Sequence, residues 1–138
     1  MSSSPNRLLG IIFGVIYLVV GVFGFFLTSA TAFAGTTGPL FIGLFQVNPL
    51  QNLGHIVAGI LLLVAGLAGA RAARFVNSLL GAVFLVLGII GLVVAGGSNP
   101  LNIFAFNGAD NVLHFATAVV LLAVGIGADK PVKAVKKA

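Results

Sequence analysis

The residues of this chain best suited to chemistry are two histidines and the carboxamide and carboxylate groups around them, and they occur twice at one spacing. Phe45–His55 reads Phe-Gln-Val-Asn-Pro-Leu-Gln-Asn-Leu-Gly-His, and Phe104–His114 reads Phe-Ala-Phe-Asn-Gly-Ala-Asp-Asn-Val-Leu-His. Both follow F-x-[VF]-N-x-x-x-N-x-x-H. A neutral imidazole offers one donor and one acceptor, or a metal ligand, and a carboxamide offers both kinds of hydrogen bond. Asn52/His55 and Asn111/His114 lie three residues apart, which puts each pair on one face of a helix. Three chemistries fit. The first is a hydrogen-bonded lock, in which Asn and neutral His tie two helices to each other or to the outer connections. The second is a ligand pair, with His55 and His114 holding haem or a Zn or Cu ion and Asp110 nearby. The third is a seat for a polar head group or small solute. A closed zinc site wants four ligands, so two histidines favour the lock.

The first asparagine of each copy has a different task. Asn48 precedes Pro49, and Gln51 follows three residues after it. Asn suits the N-cap, Pro the first helical position and Gln the third position of a capping box. Asn107 and Asp110 occupy the same places in the second copy, with Asp110 near the positive end of the helix dipole. Asn48, Gln51, Asn107 and Asp110 are therefore read as cap residues. At about 1.5 Å per residue, each His then sits roughly 10 Å below its cap.

The elements that carry these residues are membrane helices. The chain has 138 residues, 59 % of them hydrophobic and 7 % charged, with mean hydropathy +1.21. A soluble domain carries roughly 25 % charged residues, so most of this surface must face lipid. Four apolar runs, at about 8–28, 49–70, 75–96 and 108–128, approach or exceed the roughly 20 residues needed to cross a bilayer. The first run exceeds the about 7–15 apolar residues of a signal peptide, and is expected to be retained despite the Ala32-Phe33-Ala34 sequence. Arg71 and Arg74 are read as a tight basic turn between the second and third spans.

All seven Lys and Arg residues (Arg7, Arg71, Arg74, Lys130, Lys133, Lys136 and Lys137) fall on one side of this arrangement. The positive-inside rule then makes both termini cytoplasmic and places the two Asn/His corners outside. The net charge of +5 suits a membrane surface better than nucleic acid, with the lysine tail meeting anionic lipid. The expected location is the plasma membrane. Nine of the twelve Phe residues sit toward the outer half, where they can let the outer connections lie in the interface or dock a partner.

The repetition extends into the spans. Gly14–Leu27 (GVIYLVVGVFGFFL) matches Gly81–Val94 (GAVFLVLGIIGLVV). Arg7 aligns with Arg74, Tyr17 with Phe84, and Gly14, Gly21 and Gly24 with Gly81, Gly88 and Gly91. Around the histidines, Leu62, Leu63 and Gly66 align with Leu121, Leu122 and Gly125. The chain reads as one domain, residues 1–138, made of two tandem helical hairpins at about 7–70 and 74–130. Each hairpin crosses twice, so the pseudo-two-fold should lie along the membrane normal. The fold class is an all-α four-helix transmembrane bundle. Gly14/Gly21, Gly59/Gly66 and Gly81/Gly88 recur at seven-residue intervals and are expected at helix contacts, where lipid supplies no hydrophobic push and close backbone approach must hold helices together.

Catalysis has few residues to work with. There are no Cys and no Glu, and the two Asp residues lie at the ends of the fourth span. No nucleophile–base set or carboxylate pair is available for covalent or acid–base work. Tyr17 reads as a core aromatic. The motifs Asn48-Pro49-Leu50-x-Asn52-x-x-His55 and Asn107-x-Ala109-Asp110-Asn111-x-x-His114 resemble a bacterial family of four-helix integral membrane proteins known as the domain-of-unknown-function 4383 family. That resemblance covers nearly the whole chain and implies a membrane protein with no assigned activity, substrate or cofactor. The expected function is a non-enzymatic structural or accessory membrane subunit, self-associating or part of a larger complex. A haem or metal binder using His55 and His114 is the alternative, and a channel or carrier for a small solute the weaker one.

Overall fold

A computed structural model describes residues 4–96 and 98–130. Four helices dominate: α1 (Pro5–Leu27), α2 (Pro49–Ala68), α3 (Ala70–Val94) and α4 (Gly108–Gly127). All four are long and apolar enough to cross a membrane. The Lys133, Lys136 and Lys137 tail lies outside the described residues.

Each helix starts where the local chemistry allows it. Ser4 caps α1 by accepting from the Arg7 N–H at 3.3 Å, with Pro5 at the first helical position. Asn48 caps α2 and Asn107 caps α4. The third helix differs from the sequence expectation. It starts at Ala70, about five residues before the expected boundary, and Arg71 and Arg74 lie in its opening turns rather than in a loop. The joint between α2 and α3 is Gly69 alone, at φ 147°. Only glycine adopts that backbone conformation without strain.

The connection between α1 and α2 carries a short hairpin, β1 (Leu40–Phe41) paired antiparallel with β2 (Phe45–Gln46). Ile42 and Gly43 form its tip at φ 46° and 74°, closed by Leu44 N–H donating to the Phe41 carbonyl at 3.1 Å. Positive φ at both central residues is the pattern of a type I′ turn. Gly35 and Phe104 form a parallel bridge that joins this connection to the second one.

α1 packs chiefly on α2, and α3 on α4. Glycine sets both distances. A Cβ on Gly14 would lie 2.6 Å from the Leu63 backbone nitrogen, and one on Gly81 would lie 2.9 Å from the Leu122 nitrogen. Gly21 is crowded by Asn52 and Ile56, and Gly88 by Phe115. Gly59 and Gly66 face the α1 backbone at Leu18 and Ile11. At the other end of the same contacts, the Arg7 Nε donates to the Gly66 carbonyl at 3.0 Å, and the Arg74 Nε donates to the Gly125 carbonyl at 3.1 Å. Each arginine thus occupies carbonyls at the C-terminal end of the helix beside it, where positive charge is favoured. The bundle core is Tyr17, Ala58, Leu62, Leu80, Phe84, Ala118 and Leu121. Val64, Leu92, Val93 and Val119 point outward and are mostly exposed, as lipid-facing side chains should be.

Candidate functional site

The helix starts of α2 and α4 bring the two Asn/His corners to the same end of the bundle. Asn48 caps α2 by accepting from the Gln51 N–H at 2.9 Å, and its Nδ2 donates to the Ile103 and Gly35 carbonyls at 2.8 and 3.1 Å. Asn107 and Asp110 complete a reciprocal capping box at 2.9 Å in each direction. The Asn107 Nδ2 also donates to the Leu44 carbonyl at 2.8 Å, across to the first connection.

Gln51 departs from its expected role. It does not close a capping box with Asn48. Its Nε2 instead donates to Asp110 Oδ1 at 3.2 Å and joins the starts of α2 and α4. Asp110 Oδ2 accepts from the backbone of Asn107 at 2.9 Å and of Gln46, in β2, at 3.2 Å. Asp110 is therefore a buried carboxylate that gathers a helix cap, a strand and a neighbouring helix. Its oxygens are turned to these donors, and the described residues contain no group of three or more His, Cys, Asp or Glu placed to hold a metal ion.

Asn52 and Asn111 pack against glycine. The Asn52 Oδ1 occupies the position a Cβ on Gly24 would take, and the Asn111 Oδ1 does the same at Gly91. This suits a weak Cα–H···O contact of the kind found where helices approach closely. The Asn52 Nδ2 donates to Thr28 Oγ1 at 3.1 Å, and Thr28 Oγ1 donates to the Gly24 carbonyl at 3.0 Å.

The two imidazoles are buried among rings. His55 packs against Tyr17 at 5.5 Å between centroids, Tyr17 against Phe84 at 5.1 Å, and Phe84 against His114 at 5.9 Å. Phe106 meets His114 edge-on at 4.6 Å. The Nδ1 atoms of His55 and His114 have no hydrogen-bond partner among the described residues. The lock expected of these histidines is therefore made by Gln51, Asp110 and the two cap asparagines. His55 and His114 both line a cleft of about 370 Å³ between α2 and α3, together with Gln51 and Phe106.

Sequence reasoning missed three polar features. The Tyr17 hydroxyl and Thr117 Oγ1 are hydrogen-bonded at 2.8 Å, which ties α1 to α4 inside the core. Thr28 holds Asn52. At the opposite end of the bundle, Asp129 Oδ2 accepts from Ser4 Oγ at 2.6 Å and from both the backbone and side chain of Asn6 at 3.0 Å. Asn77 Nδ2 then donates to Asn6 Oδ1 at 2.9 Å and to the Asn6 carbonyl at 3.0 Å. The Ser4 hydroxyl beside Asp129 is the main influence holding its carboxyl below the usual carboxylate range, with the Asn6 donors acting in the same sense. Asn77 was the available signal, since a carboxamide inside an apolar span needs a partner.

A family model described as a domain of unknown function (DUF4383) matches residues 7–127. No curated protein and no solved structure matches the chain.

Proposed function

The chain belongs to the DUF4383 family of domains of unknown function, and from that membership and its four spans we propose that it is a non-enzymatic membrane protein serving as a structural or accessory subunit. The observation that carries this reading is the Asp110 carboxylate. It accepts from α2, from β2 and from its own cap, so this carboxylate is committed to holding the hairpins together. The Phe-rich outer rim, with Phe23, Phe26 and Ile42 exposed, is the surface offered sideways to a second copy or a larger complex. The paired contacts at Gly14/Gly81, Gly24/Gly91 and Arg7/Arg74 support descent of the two hairpins from one ancestor and a pseudo-two-fold along the membrane normal.

The grouping of Arg7, Arg71, Arg74 and Lys130 near one end supports a plasma-membrane orientation with both termini cytoplasmic. Single cysteines placed at Thr37 and at Lys130 test it in this cysteine-free chain. An impermeant maleimide should reach Thr37→Cys from outside and Lys130→Cys only from inside, and the reverse would overturn the orientation. For the function, native mass spectrometry of mildly extracted protein should find a defined oligomer or a stoichiometric membrane partner. A Soret band or stoichiometric metal would replace this reading with the haem or metal one, and solute flux through liposomes with the carrier one.

A further inference from the structure

The bundle has two seams between its hairpins, and they are built from corresponding positions. The α2/α3 seam holds the cleft of about 370 Å³ and the α1/α4 seam holds one of about 260 Å³. In the register that aligns the hairpins, Tyr17, Leu113 and Thr117 of the smaller cleft correspond to Phe84, Gly54 and Ala58 of the larger. The Tyr17–Thr117 hydrogen bond spans the smaller seam at 2.8 Å. Phe84 and Ala58 have no hydroxyls to make that bridge, and Gly54 leaves vacant the space that Leu113 fills. A Cβ built on Gly54 meets nothing within 4 Å. Of the two equivalent seams, one is thus bridged and narrower, and the other is unbridged and wider.

The wider cleft has the character of a ligand site. Its volume falls in the range of about 300–1,000 Å³ typical of small-molecule pockets, which combine apolar walls with a few polar groups. Its mouth, at Leu53, Val57 and Val83, is exposed on the lipid-facing side. At the start of α2 stands Gln51, 4 % exposed, whose Nε2 donates to Asp110 and whose buried Oε1 has no partner among the described residues. His55 and His114 also line the cleft, and their buried Nδ1 atoms have no partner among the described residues. Among the described residues no Lys or Arg lines the cleft, and the Asp110 carboxylate lies directly behind Gln51. An anionic head group would meet repulsion there and find no cation. The spare Gln51 atom is an acceptor, so it calls for a donor.

We propose that the α2/α3 cleft binds a neutral membrane lipid with a hydroxyl head group, entering sideways from the bilayer with its chain along Val57 and Val83 and its hydroxyl donating to Gln51. The test uses full-length protein in liposomes containing a long-chain alcohol with a diazirine on the chain. Adducts should concentrate on α2 and α3 around Leu53, Val57 and Val83. Unlabelled alcohol should compete, while the alkane and the alkyl phosphate of the same chain length should not.

Gly54→Leu, which copies the narrower seam into open space, should lower this labelling about tenfold, equivalent to about 1.4 kcal/mol of binding. The double variant Ala58→Thr/Phe84→Tyr, which installs the bridge of the other seam, should do the same. Labelling spread evenly over all lipid-facing helices, labelling unchanged in Gly54→Leu, or equal competition by the alkyl phosphate would each overturn the proposal. So would photocrosslinks from Val57 that join a second protein chain in place of lipid.

Discussion

The seams inside the hairpins and the seams between them are made in different ways. Within a hairpin, helices meet backbone to backbone at glycine: Gly14 on Leu63, Gly59 on Leu18, Gly81 on Leu122. Between hairpins they meet through the Tyr17–Phe84 ring contact, the Tyr17–Thr117 hydrogen bond and polar clips at the two ends. Close glycine contacts leave no room for another molecule and give each hairpin one geometry. The joins between hairpins leave a cleft on each side of the bundle, with the polar clips at its ends. Rigidity belongs to the hairpin, and capacity for binding belongs to the join between hairpins.

The contrast is broken most severely by crowding the inner seams. Gly14→Leu or Gly81→Leu should destabilise the protein by about 3 kcal/mol, the upper part of the overpacking range, read as a fall in the denaturant midpoint in micelles. Gly54→Leu, the same exchange on a helix face with free space, should leave stability unchanged or raise it by up to about 1 kcal/mol through helix propensity. If both variants behaved alike, the distinction between the two kinds of seam would be lost.

Removing the Gln51–Asp110 clip comes next. Asp110→Ala strips acceptors from the Gln51 side chain and from the Asn107 and Gln46 backbone, and should cost about 2 kcal/mol. Hydrogen exchange should rise first at the starts of α2 and α4, with the glycine contacts still protected. Tyr17→Phe is milder, at about 1 kcal/mol for one buried hydrogen bond. It also makes the α1/α4 seam resemble its wider counterpart, so labelling by the photoreactive alcohol should appear near Ile16 and Ala116, which line that seam.

The smallest effect should come from acid. The Asp129 carboxyl is held below its usual range in the folded protein, so its contribution is present above the unfolded value and is lost as pH falls through the folded one. Wild-type stability should drop toward that of Asp129→Asn as the pH is lowered, while the variant lacks this component of the fall. Thermal unfolding in micelles at several pH values reads the difference.

The spans could be read from sequence because bilayer thickness dictates the length of an apolar run. The Asn/His corner could be read because it is written twice. Asn48 and Asn107 cap their helices as the local pattern required, since a cap depends on only a few neighbouring residues. Gln51 was misplaced because its partner, Asp110, is brought to it by tertiary packing. The early start of α3 was hidden by Arg71 and Arg74, which looked like a charged loop. Ala-rich sequence continues the helix there, and Arg74 reaches the end of α4. The β1–β2 hairpin turns on Ile42-Gly43, without the Asn-Gly or Asp-Gly signal of most such turns. Asn6 and Asn77 have no counterparts in the alignment, where Ala73 and Gly10 stand, so repetition could not reveal them. The Tyr17–Thr117 bond joins the first and last helices, and no local pattern announces it.

Ser4 and Asp129 touch at 2.6 Å, while Gly69 is the single residue of chain between α2 and α3. The connectivity is therefore close to a ring with one short bond at each junction. Splicing residue 130 to residue 4 through a brief linker and opening the chain at Gly69 would produce a circular permutant that emerges from the ribosome second hairpin first. Comparing its assembly with the natural order would reveal whether the final bundle depends on which half enters the bilayer before the other.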